Sequence, residues 1–95
     1  MVEPTLAARV ASELPGWRIE GEELVGNWRL ADFASALAAA VRVGALAERA
    51  DHHPDLRLGW GTFEMRLTTH SARALTTRDL DLARAVHKAL QAPNV

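Results

Sequence analysis

An α+β sandwich is predicted for this chain, with elements in the order αββαββα. A four-stranded antiparallel sheet would carry its helices on one face. Three observations predict it: apolar residues recur with helical period in three segments, alternating runs mark four strands with the first two flanking a glycine turn, and connections are short. The chain has 95 residues and reads as a single domain, residues 1–95, with no repeat or linker.

The first helix opens at Pro4-Thr5, with Leu6, Val10 and Leu14 along one side, and Pro15-Gly16 stops it. Trp17-Arg18-Ile19, then Gly21-Glu22, then Leu24, Gly26, Trp28 and Leu30 alternating with polar or small partners, read as a β-hairpin. Asp32 is a good N-cap for the second helix, whose buried face is read as Phe33, Leu37, Ala40, Gly44 and Ala47. That helix is expected to end near His53, because Pro54 follows. Leu56, Leu58 and Trp60, and then Phe63, Met65 and Leu67, mark two more strands. The three tryptophans read as core aromatics. Thr76 and Asp79 form a capping-box-like pair, with Leu75 and Leu80 as a hydrophobic staple, and Leu82, Val86 and Leu90 make the stripe of the last helix.

Composition excludes several function classes. Eleven basic residues against twelve acidic ones give a net charge of −1, so no basic face for nucleic acid is expected. The apolar-looking stretch from Phe33 to Ala47 is broken by Ser35 and Arg42 and is too short for a bilayer. No targeting segment is visible, and a cytoplasmic location is expected. Without cysteine there are no disulfides and no thiolate metal sites. A chain this short buries roughly 60–65% of its unfolded surface. Association with further copies, covering exposed sheet edges, is the expected supplement.

Three of the four histidines cluster in sequence around a helix end and a strand end. Glu48 and His52 are four apart, which places them on one helix face if the helix reaches that far. In that geometry both the carboxylate and the helix C-terminus favour a charged His52 imidazole. His53 precedes proline and is driven toward extended backbone, so its ring should leave in another direction. His70 ends the fourth strand on its polar side. Imidazoles delivered from a helix end and a strand end can face one pocket, and histidine suits general acid–base work near neutral pH. Zinc is the competing reading for His52, His53, His70 and Glu48, but adjacent histidines at a helix end diverge and no established ligand spacing occurs, so no metal is expected. His87, near Arg84 and Lys88, reads as a solvated surface residue, and Asp79 chiefly as a helix N-terminal carboxylate.

Taken together, Glu48-x3-His52-His53-Pro54-x5-Trp60-x9-His70-x8-Asp79 resembles the signature of the pterin-4a-carbinolamine dehydratase family, in order and over 32 residues. Gly16-Trp17, Leu24, Phe33, Leu75-Thr76 and Arg78-Asp79-Leu80 extend the likeness over Leu14 to Leu90. The resemblance implies removal of water from 4a-hydroxytetrahydropterin, giving the quinonoid dihydropterin and so recycling the pterin used by aromatic amino acid hydroxylases. It implies His52 and His70 as an acid–base pair with His53 as a substrate-binding partner, and Glu48 and Asp79 in support. Asp51, Pro54, Thr68, Thr69 and Trp17 are implied as pterin-contacting positions. It implies no cofactor, and it implies a homodimer or homotetramer. A non-catalytic binding module, such as a transcriptional dimerisation cofactor or an assembly factor, is the alternative, because some relatives serve in those ways. The chain departs from the common pattern at Asp51 (often asparagine), Trp60 (often tyrosine) and Arg73-Ala74 (often a glycine pair). Glycines there would permit positive φ, so this loop is expected to differ in shape.

Overall fold

In a computed structural model, which describes residues 2–95, the central strands are β2 (Glu23–Arg29) and β4 (Thr62–Leu67). They pair antiparallel, with Leu24 opposite Leu67, Gly26 opposite Met65 and Trp28 opposite Phe63. Alternation puts these six side-chain positions on one face, and all five with side chains are buried. β1 (Arg18–Glu20) and β3 (Asp55–Gly59) complete the sheet in the order β1-β2-β4-β3. The expected αββαββα order is therefore observed, with α1 (Pro4–Glu13), α2 (Phe33–Ala50) and α3 (Thr77–Leu90).

Local chemistry sets the element ends. Gly21 turns the first hairpin at φ +59°, in the left-handed region that glycine enters without steric cost. Glu3 caps α1, accepting from the Thr5 and Leu6 amides, and those bonds hold its carboxyl below the ordinary range. Asp32 caps α2 through the Ser35 amide, with the same effect on its own carboxyl.

Apart from the buried Val25, the opposite sheet face is polar. Arg66 lies there among Glu20, Glu23 and Glu64, and Glu64 also accepts from the Asn27 amide. Such a one-sided sheet leaves a single core, between the apolar face and the helices.

Two expectations about burial are corrected. The core face of α2 is Ala36, Ala39, Ala40, Val43 and Ala47, whereas Phe33 and Leu37 are about half exposed. With Val41 they form an apolar stripe at four-residue spacing on the outside of the helix. Trp17 and Trp28 are core residues, but Trp60 is 75% exposed, because β3 ends at Gly59 and Trp60 sits in the turn before Gly61.

Candidate active site

The site begins where α2 stops. Pro54 disfavours helix for the residue before it, and the reversal occurs earlier, at Asp51 (φ 50°, ψ 46°). Aspartate is among the few side chains that tolerate this left-handed conformation. The Asp51 amide donates to the Glu48 carbonyl (3.2 Å) and the His52 amide to the Ala47 carbonyl (3.1 Å). These two bonds are a Schellman turn. His52 thus lies beyond the helix rather than in its last turn, and the reversal carries its ring away from the Glu48 face.

The ring meets α3 instead. His52 Nε2 lies 2.5 Å from Asp79 Oδ1, and both side chains are buried. The other carboxylate oxygen of Asp79 accepts from the Thr69 hydroxyl (2.8 Å) and the Thr76 amide (2.9 Å). The Thr76 hydroxyl accepts from the Arg78 amide and lies 2.7 Å from that of Thr69. The donors therefore run in one direction, from Thr76 to Thr69 to Asp79. A carboxylate that only accepts leaves Nε2–H of His52 as the third donor. The proton on Nε2 fixes the tautomer and leaves Nδ1 as the nitrogen available for chemistry. Asp79 is consequently both helix cap and partner of His52, more than the helix-terminal carboxylate read from the sequence.

Glu48 pairs with His53, not His52. Glu48 Oε2 is 2.6 Å from His53 Nε2, and the side chains are 77% and 58% exposed. An exposed ion pair of this kind contributes about 0–1 kcal/mol at most. Glu48→Gln should therefore move the NMR resonances of the His53 ring and leave those of His52 in place. Shifts at His52 alone would reverse the assignment.

His70 lies three residues past β4, exposed, in a loop closed by the Thr69–Ala74 bridge and the Arg73 amide bond to the His70 carbonyl. Arg73 takes φ +54°, so this loop keeps a left-handed residue although no glycine is present. Thr69 joins this loop to Asp79, and through it to His52. Thr68 is half-buried, while Asp51 is exposed. The Asp51 carbonyl takes a bond from Arg78 (2.7 Å), a tether between the histidine turn and α3 that the sequence did not single out as functional.

Trp17 is directed elsewhere. Its indole N–H donates to Nδ1 of His87 (3.0 Å), eight residues along α3 from Asp79, a rise of about 12 Å. His87, read from sequence as solvated, is half-buried and an acceptor on that nitrogen.

Among the described residues no group of three His, Cys, Asp or Glu side chains could hold a metal ion. No helix among them is long and apolar enough to cross a membrane. A groove of about 410 Å³ runs between the end of α2 and the start of α3, and of the predicted site residues it touches only His52.

The fold is thus a small α+β domain with a buried histidine–carboxylate pair, His52–Asp79, which Thr69 joins to the loop that carries His70. The family model described as pterin 4 alpha carbinolamine dehydratase matches residues 1–89. A Nocardia farcinica protein bearing the provisional name pterin-4-alpha-carbinolamine dehydratase is 43% identical over 79 residues, 83% of each chain. A similarly named protein of Roseiflexus sp. is 45% identical over 71 residues, 75% of this chain and 76% of its own. The crystal structure of a transcriptional coactivator/pterin dehydratase from Brucella melitensis superposes with a TM-score of 0.82 at 26% identity, covering 93% of this chain and 95% of that one. A pterin dehydratase-like protein identified as a RuBisCO assembly factor in the alpha-carboxysome shares the fold (TM-score 0.68, 20% identity, 81% and 92% covered). The chain belongs to the pterin-4a-carbinolamine dehydratase family.

Proposed function

We propose that this chain dehydrates 4a-hydroxytetrahydropterin to quinonoid dihydropterin by histidine acid–base catalysis. The observation that carries the reading is the buried His52–Asp79 pair, in which Nε2 faces a carboxylate oxygen while Nδ1 makes no hydrogen bond among the described residues. Breaking the C4a–O bond needs a proton on the departing oxygen, which leaves as water. A second proton must leave a ring nitrogen of the pterin to complete the quinonoid product. Two imidazoles suffice for both transfers, each typically contributing about 10²–10⁴-fold near neutral pH. His52 and His70 take these roles, and His53, held by Glu48, binds substrate. Asp51, Pro54, Thr68 and Thr69 belong to the same turn and loop, whereas Trp17 is packed in the core with its indole N–H on His87.

The purified chain should accelerate dehydration of freshly generated 4a-carbinolamine, with full activity in EDTA. Loss of activity on chelation, or no acceleration, would count against the reading. The alternative is a non-catalytic binding module; a pterin dehydratase-like protein that shares the fold is identified as a RuBisCO assembly factor. A chain that binds pterin without turnover would favour it.

Self-association belongs to the same proposal. The exposed stripe of Phe33, Leu37 and Val41 and the free edge of β3 each offer a second copy a surface. Light scattering at micromolar concentration should give at least twice the 10.4 kDa of one chain, and a monomer would refute it.

A further inference from the structure

We propose that the groove between α2 and α3 is a second ligand site, one that takes a flat organic monocarboxylate against the ring of His52. The groove exists because small residues stand where the helices face each other. Leu46 and Leu82 form its apolar walls, while Ala50 and Ala85, one turn further along each helix, leave space. Its volume, about 410 Å³, lies within the range of small-molecule sites.

The charges around it select the ligand. Arg49 and Arg78 line the groove, with Asp81 as the single carboxylate. Arg49 makes no ion pair or hydrogen bond among the described residues, and Arg78 uses one N–H on the Asp51 carbonyl, of the five a guanidinium carries. Asp81 forms no ion pair there either, and its charge is felt by Arg9 of α1. The positive excess calls for an anion. Planar guanidinium forks match the two oxygens of a carboxylate, and their faces stack on flat rings.

This site is separate from the pterin-contacting positions. His53, His70, Thr68 and Thr69 do not line the groove, and His52 alone belongs to both. An occupant therefore touches the ring that Asp79 orients, and only that consequence rests on the dehydratase reading.

The test is an NMR amide-shift titration of the full chain with 3-phenylpropionate, run beside the neutral amide, 3-phenylpropionamide. Saturable binding with a Kd of about 1 mM or tighter is expected, given what a ligand of this size can gain. Shifts should centre on residues 46–52 and 78–85. Arg49→Gln should weaken binding about tenfold through loss of a charge-assisted bond, and Ala85→Leu, an exposed position, should abolish it by filling the groove. Equal binding of the amide, wild-type binding by both variants, or shifts confined to Phe33, Leu37 and Val41 would overturn the proposal. So would shifts from 6,7-dimethylpterin centred on Leu46, Arg49, Arg78, Leu82 and Ala85, which would make the groove the pterin site itself. Binding is read without turnover, so an inactive chain would sink the dehydratase reading and leave this one standing.

Discussion

Asp79→Asn is expected to lower dehydratase turnover by about 10²–10⁴-fold while the chain stays folded. The amide oxygen of asparagine can still accept from the Thr76 amide and the Thr69 hydroxyl, as Oδ2 does in the native protein. Its NH₂ group then faces His52 Nε2, where the carboxylate oxygen stood. Two donors cannot share that contact, so the imidazole proton moves to Nδ1 and the reactive lone pair is lost. Steady-state assay measures the loss, and nitrogen chemical shifts of the His52 ring report the tautomer. Asp79→Ala should be worse in stability, because it also removes one half of the capping box. Native turnover in Asp79→Asn would show that ring orientation at His52 does not limit the reaction.

Gly26→Val should destabilise the fold by about 1–3 kcal/mol through overpacking. Gly26 stands in β2 beneath two indoles, and a Cβ there would lie 2.8 Å from the Trp28 ring and 3.0 Å from the Trp17 ring. Those rings meet edge to face, with centroids 5.3 Å apart, and Trp28 also packs on Phe63 at 5.6 Å. Neither can swing away cheaply. The Trp17 N–H is held by His87, and the Trp28 N–H by the Gln91 carbonyl (3.3 Å). The close approach of two aromatic planes thus requires glycine at this position. Thermal unfolding should show the midpoint falling by about 4–8 °C per kcal/mol in a domain of this size. An unchanged midpoint would mean that the aromatic cluster relaxes freely.

The strand alternation and the capping signals made the fold legible in the sequence, because each depends on near neighbours. Helix α2 was harder. Its alanines give apolar character to nearly every side, so the pattern could not choose between the Phe33–Leu37 face and the Ala36–Val43 face. Burial is decided there by what the sheet and α3 present. The site shows the same division. Thr76 and Asp79 are recognisable as cap and third residue from spacing alone, but the partner of Asp79 is not. A single left-handed residue, Asp51, redirects the chain by one turn and exchanges the expected Glu48–His52 pair for Glu48–His53 and His52–Asp79. The Trp17–His87 bond joins residues 70 apart and has no local signature.

Because one carboxylate closes the first turn of α3 and steadies the His52 ring, fraying of that turn and release of the ring are a single event. The Thr76 amide, bonded to Asp79 Oδ2, is therefore a clock for the active conformation. Its exchange with deuterium should be as slow as the opening of α3 permits, and the fraction of open molecules it reports is the fraction with a misplaced ring. Any substitution in the first turn of α3 that speeds this exchange should lower activity in proportion to the open population, even when it lies out of contact with the pterin.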